Sequence, residues 1–143
     1  MEWQEVLFAI INIYVLPFWF IMIVLPNKSF TKGAMQSLWI FAPLLVIYAA
    51  LIIPGFAGVL ADVANPQLSV IQELLGSPEG TLLAWTHLLA FDLFVGRWIY
   101  MDNQKKQGNS VLTGIALFFT LMSGPFGLLL YMIFGFASRK GKK

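Results

Sequence analysis

The chain has 143 residues, of which 59% are hydrophobic and only 11% are charged, and its formal net charge is +2. About a quarter of the residues of an ordinary soluble domain are charged, so this composition argues against a water-soluble globule and indicates a membrane protein. The absence of cysteine excludes disulfides, thiolate metal sites, iron–sulfur clusters and a cysteine nucleophile. The few basic residues lie in short loops and a tail, which fits anionic lipid headgroups better than nucleic acid.

Four apolar segments of membrane-spanning length follow one another along the chain. Each is near the ~20 residues that an α-helix needs to cross a bilayer core, and only helices satisfy their own backbone amides in lipid. Because Met1-Glu2-Trp3 lacks the basic start of a signal peptide, we expect the first segment to be retained. The sequence predicts an all-α fold, a four-helix bundle in a single transmembrane domain over residues 1–143, with spans at about 5–25, 38–60, 82–100 and 111–136.

The loops differ in charge. The first loop (residues 26–37) and the third loop (residues 101–110) each contain two lysines, whereas the charged residues of the second loop (residues 61–81) are all acidic. The positive-inside rule therefore places the first and third loops in the cytoplasm or stroma. Four spans would put the basic tail outside, against that rule. A re-entrant fourth segment, broken at residues 123–127, would remove the conflict. The favoured interpretation is a kinked continuous helix, since proline and glycine are common in membrane helices.

The second loop also contains a helical pattern. Leucine and isoleucine side chains recur at helical spacing within residues 66–76, which predicts a short amphipathic helix. We expect it to act as a lid or packing element on the membrane surface.

The third segment contains three ionisable residues, His87, Asp92 and Arg97, at a spacing of five. On a straight helix they point about 140° apart, so their partners must come from elsewhere. Asp92 lies near the middle of its span and is the sharpest candidate site, because a charge at that depth is costly unless it is paired or functional. Arg97 can extend to the inner headgroups, so it is an interfacial residue or a ligand-binding one. Asn12, at a similar depth, is a candidate partner for His87.

Other chemistry is sparse. As the only histidine, His87 cannot build a multi-histidine metal centre or bis-histidine haem ligation, and it has either a packing role or an acid–base or ligand-binding one. Trp85 and Trp98 lie near span ends, as in an aromatic belt. The sequence lacks nucleotide-binding, zinc-protease and hydrolase motifs, so we expect no metal, no cofactor and no nucleic-acid partner.

The polar and aromatic residues of the third segment form one extended motif: Trp85, His87, Asp92-Leu93-Phe94, Gly96-Arg97-Trp98, Tyr100 and Asp102. This motif resembles the signature of the ABA4-like proteins, a small membrane family of plants and cyanobacteria that is named for a locus required for neoxanthin formation. The resemblance extends to the layout of most of the chain. Plant members carry an N-terminal transit extension, so this chain looks like a cyanobacterial relative in a plasma or thylakoid membrane.

The resemblance implies carotenoid metabolism, with isomerisation of violaxanthin to neoxanthin as the plant chemistry. That reaction needs an acid at the epoxide oxygen and a base at carbon, without a cofactor. By this resemblance Asp92 is the candidate base and His87 the candidate acid. The residues expected to bind substrate are Arg97, Tyr100, Trp85, Trp98 and Asn12.

Three functions stay open at this stage. The first is a membrane carotenoid isomerase, or an essential subunit of one, acting on epoxy-carotenoids. The second is a non-catalytic protein that binds a carotenoid or another pigment, or acts as a scaffold. The third is a small proton-coupled transporter with Asp92 as its titrating group, for which so small a bundle would need to oligomerise. The expected partners are the lipid bilayer, a hydrophobic carotenoid-like ligand, and either further copies of the chain or a partner subunit.

Overall fold

The computed structural model describes the backbone of residues 2–140 and the side chains of residues 2–135. Within this part of the chain the regular structure is helical, without strands, which confirms the all-α prediction. Short 3₁₀ turns at Trp39–Phe41 and Ile53–Gly55 flank the third helix. The helices are α1 (Trp3–Val24), α2 (Ser29–Gln36), α3 (Ala42–Ile52), α4 (Phe56–Ala64), α5 (Leu68–Gly76), α6 (Pro78–Lys106), α7 (Ser110–Met122) and α8 (Gly124–Lys140).

Three helical stretches in the described chain are long and apolar enough to cross a membrane. They are Trp3–Val24, Trp39–Ala64, in which α3 and α4 follow each other across a 3₁₀ turn, and Pro78–Lys106. Pro54 lies in that 3₁₀ turn, where a proline interrupts regular helical hydrogen bonding. These stretches correspond to the first three predicted spans and suggest a membrane protein.

The fourth apolar segment is not a spanning helix. It divides at Ser123, whose backbone is extended (φ −161°, ψ 96°), into α7 of 13 residues and an apolar stretch of α8 at Gly124–Gly135. At 1.5 Å per residue α7 is about 20 Å long, short of the ~30 Å hydrocarbon core. Residues 2–140 therefore contain three helical stretches of spanning length where the sequence predicted a bundle of four.

Helices α7 and α8 pack against each other as a hairpin alongside α6. α7 begins close to the end of α6, where the N–H of Gly108 donates to the carbonyl of Asn103 (3.1 Å). α8 begins at the middle of α6, where the N–H of Gly124 donates to the Asp92 carboxylate. Further along α8, the Tyr131 hydroxyl donates to Asp102 (2.7 Å). The chain thus runs halfway back along α6 and then returns, so the favoured prediction of a kinked continuous helix is wrong.

The chain forms two compact units. The first comprises residues 1–13 and 41–90, and the second comprises residues 14–40 and 91–143, so α1 and α6 contribute to both. Fully buried side chains of the first unit include Ile11, Leu44 and Thr86. Those of the second unit include Trp19, Met22, Met35, Ile99 and Leu117. The single transmembrane domain predicted from the sequence stays a prediction.

Two short helices lie between the long ones. α5, at Leu68–Gly76, confirms the helix predicted within residues 66–76. α2, in the first loop, was not predicted. Thr31 and Met35 of α2 are buried, and the Thr31 hydroxyl donates to the carbonyl of Leu25 (2.8 Å), which fixes the helix against the end of α1.

Candidate functional site

Asp92 is the central residue of α6 and its side chain is half-buried. The N–H of Gly124, the first residue of α8, donates a hydrogen bond to the Asp92 carboxylate. The first amides of a helix have no partner within the helix, and the N-terminal end of the helix dipole favours a negative charge. The start of α8 therefore supplies the Asp92 carboxylate with one hydrogen-bond donor.

The sequence around the break explains how α8 can begin so close to α6. Ser123 is extended, and its carbonyl accepts bonds from Phe126 (3.0 Å) and Gly127 (3.1 Å). A Cβ added at Gly124 would collide with Oδ1 of Asp92, so the close approach requires glycine. Pro125 lies in the first turn of α8, where its missing N–H costs no helical hydrogen bond.

A groove of about 240 Å³ lies between α6 and α8. Its lining is entirely apolar and consists of Phe94, Val95, Trp98, Leu128 and Met132. Val95 is three residues after Asp92 and Leu128 is four after Gly124, so the groove starts about one helical turn beyond their hydrogen bond. The groove is smaller than the ~300–1,000 Å³ of typical small-molecule pockets.

A second polar group lies further along the same two helices. Asp102 accepts hydrogen bonds from the Tyr131 hydroxyl (2.7 Å) and from Nζ of Lys106 (2.5 Å). The Tyr131 ring meets the Trp98 ring edge-on, with centroids 6.0 Å apart. Asp102 and Asp92 are ten residues apart, about 15 Å along a helix. The contact between Asp102 and Tyr131 could not be foreseen from the sequence, because it depends on the reversal of α8.

Arg97 and Tyr100 hold the first loop against α6. Nε of Arg97 donates to the carbonyl of Met35 (2.6 Å), in the last turn of α2, where helix carbonyls lack internal partners. The Tyr100 side chain is buried, and its hydroxyl donates to the carbonyl of Pro26 (2.6 Å). These bonds give both residues a structural task, and their proposed role in substrate binding stays a prediction.

Gly96, within the motif of the third segment, is a packing position. A Cβ at Gly96 would come within 2.5 Å of Cη2 of Trp19, and the Trp19 side chain is buried. The glycine thus lets α1 and α6 approach closely in the second unit. This contact was not predicted from the sequence, although a tryptophan deep in one apolar segment and a glycine in another could have suggested it.

The remaining predicted site residues belong to the first unit. The His87 ring lies 5.7 Å from the Tyr48 ring, centroid to centroid. Oδ1 of Asn12 accepts a hydrogen bond from Nε1 of Trp85 (3.2 Å), and Nδ2 of Asn12 donates to the carbonyl of Phe8 (2.6 Å). The predicted pairing of Asn12 with His87 stays a prediction. Trp85 is partly exposed and also stacks on Phe8, with centroids 5.5 Å apart.

The candidate acid and base are distributed over the two units. His87 belongs to the first and Asp92 to the second, so their pairing stays a prediction. Within the described residues, no cluster of three histidine, aspartate or glutamate side chains is arranged to hold a metal ion. The second unit therefore places the Asp92 carboxylate at the start of α8, next to the apolar groove between α6 and α8.

Comparison with known proteins identifies the family. The family model described as ABA DEFICIENT 4-like matches residues 6–131. The chain belongs to the ABA4-like family. It is 29% identical over 132 residues to Protein ABA DEFICIENT 4, chloroplastic, of Arabidopsis thaliana, in a match that covers 88% of this chain and 59% of the relative. The chain therefore spans less than two thirds of that relative's length. No solved structure matches the chain.

The ABA4-like match covers most of the candidate site. It contains Asp92, Gly124 and four of the five residues that line the groove, and it ends at residue 131, just before Met132. The family resemblance read from the third segment is thus confirmed, and the break that creates the hairpin lies inside the matched region.

Proposed function

We propose that this ABA4-like protein acts in carotenoid metabolism as an integral membrane protein, and that it binds a carotenoid end group in the groove between α6 and α8. Family membership supports the pathway. The observation that carries the site is the Asp92 carboxylate, which meets the first amide of α8 about one turn from an apolar groove. The rest of a long polyene would extend from the open groove into lipid.

For this site we propose isomerisation of an epoxy-carotenoid, with Asp92 as the base. Asp92 removes a vinylic proton next to the epoxide-bearing ring, the electrons of that C–H bond form the second double bond of an allene, and an epoxide C–O bond breaks. The epoxide oxygen gains a proton and becomes a hydroxyl, so substrate and product have the same composition and no redox cofactor is needed. We retain His87 as the candidate donor of that proton, to be tested separately by His87→Ala.

A second candidate is a protein that binds the carotenoid without converting it. The hydrogen bond between Gly124 and Asp92 favours this alternative, because a carboxylate that completes a helix start already has a structural task. The groove lining supplies no polar group of its own. The two candidates agree on the ligand and differ on whether Asp92 transfers a proton.

Reconstitution with an epoxy-carotenoid separates the candidates. Asp92→Asn keeps an oxygen that can accept the Gly124 N–H, but it removes the basic carboxylate. Since proton transfer by a positioned side chain contributes about 10²–10⁴-fold to rate, we expect turnover to fall by a factor in that range while pigment still co-purifies. The matched control is Asp102→Asn on the same helix, which should leave turnover unchanged.

Three results would count against the catalytic assignment. Turnover retained in Asp92→Asn would show that Asp92 is not the base. Pigment bound by the unmodified protein without conversion would favour the binding role. Absence of both bound pigment and turnover would overturn the proposed ligand.

A further inference from the structure

Charge is segregated between the two units. The ranges of the first unit contain five acidic residues and no basic one, whereas the ranges of the second contain all nine basic residues and the remaining two acidic ones. This separation of charge does not follow from the distribution of apolar segments, because both units contain them. It points to an orientation signal, because lysine and arginine in short loops determine which side of a membrane a loop occupies.

Four of the basic residues lie together at one end of the second unit. Lys28 and Lys32 are in the first loop, and Lys105 and Lys106 end α6; all four are exposed. The two groups are joined by hydrogen bonds to the carbonyl of Pro26, from the Tyr100 hydroxyl (2.6 Å) and from Nε2 of Gln104 (3.2 Å). The first and third loops therefore share one face of this unit.

The backbone of α8 runs toward the same face. α8 starts beside Asp92 and reaches the level of Asp102 at Tyr131. Its backbone remains helical to Lys140, nine residues further, which corresponds to about 13 Å in the same direction. Residues 139–143 contribute four more basic residues. With a fourth span they would lie on the opposite side from the first and third loops, against the positive-inside rule.

We propose that the chain crosses the membrane three times, and that the first loop, the third loop and the end of α8 all lie on the cytoplasmic or stromal side. The α7–α8 hairpin enters the membrane from that leaflet and returns to it. The second loop, which is acidic, lies on the other side.

The cysteine-free sequence allows a direct test. Three single variants place a thiol at a serine: Ser29→Cys in the first loop, Ser69→Cys in the second, and Ser138→Cys near the end of α8. Intact cells that express each full-length variant are treated with a membrane-impermeant maleimide. Labelling after detergent solubilisation gives the total reactive thiol. A reporter domain fused after Lys143, active only in the cytoplasm, provides an independent readout of the tail.

We expect Ser69→Cys to be labelled in intact cells, Ser29→Cys and Ser138→Cys to be labelled only after solubilisation, and the fused reporter to be active. Labelling of Ser138→Cys together with Ser69→Cys, with an inactive reporter, would establish a fourth span and overturn the proposal. Labelling of Ser29→Cys and Ser138→Cys with protection of Ser69→Cys would overturn the orientation.

Discussion

Gly124 and Asp92 meet where the second helix of the hairpin begins, beside the middle of α6. The N–H of Gly124 reaches the carboxylate because no side chain intervenes, and a Cβ at this position would overlap Oδ1 of Asp92. A carboxylate in the middle of an apolar segment is costly when unpaired, and here part of that cost is offset by an amide that would otherwise have no partner. The glycine and the aspartate thus depend on each other.

This dependence predicts that Gly124→Ala destabilises the protein. The added methyl group must displace Asp92 or shift the start of α8, and overpacking of this kind costs about 1–3 kcal/mol. The measurement is the thermal unfolding midpoint in detergent. Gly135→Ala on the same helix is the matched control, since a Cβ there meets nothing within 4 Å. Equal midpoints for the two variants would contradict the close contact between Gly124 and Asp92.

At the level of helices, hydropathy predicted the three long ones because each depends mainly on its own apolar composition. The fourth segment was mispredicted for a physical reason. Whether Ser123-Gly124-Pro125 bends a helix or reverses it depends on Asp92 and Asp102, which lie more than twenty residues earlier in the chain. The α2 helix was missed because it has few apolar residues, and Met35 is buried only through contacts with other segments. For the same reason, the sequence predicted Asp92 as a candidate site, which stays a prediction, but it could not predict Gly124 as the partner of Asp92.

The turn between α6 and α7 contains Gln107, whose backbone conformation is strained. Gln107 has φ 51°, in the left-handed region that favours glycine. The N–H of Gly108 donates to the carbonyl of Asn103 (3.1 Å) and that of Gln107 to the carbonyl of Gln104 (3.4 Å). This is the hydrogen-bonding pattern of a Schellman motif, whose left-handed position is usually glycine.

We therefore expect Gln107→Gly to stabilise the protein. A left-handed conformation costs a residue with a side chain roughly 1–2 kcal/mol, and glycine removes this cost. The gain is partly offset because the substitution also removes the hydrogen bond from Nε2 of Gln107 to the carbonyl of Gln104. The same substitution inside a helix, Gln72→Gly in α5, should instead lower the unfolding midpoint. A decrease of the midpoint in both variants would mean that the turn after α6 is not limited by backbone strain.

For the whole molecule, the hairpin changes the effect that the tail charges have on insertion. With three crossings, the tail adds to the basic residues of the first and third loops and strengthens the same orientation. With four crossings, it would oppose them. The two topologies therefore predict opposite responses to removal of the tail charges, whichever ligand the protein binds.

Neutralising the tail (Arg139→Gln, Lys140→Gln, Lys142→Gln and Lys143→Gln) in a Lys105→Gln/Lys106→Gln background should lower the fraction of molecules in the proposed orientation. That fraction is measured as external labelling of Ser69→Cys relative to labelling after solubilisation. Asp62→Asn/Glu73→Gln is the matched control, and it should leave the fraction unchanged because acidic residues contribute little to orientation. A labelled fraction that increased when the tail lost its charge would mean that the tail opposes the loops, which only a fourth crossing of the membrane would produce.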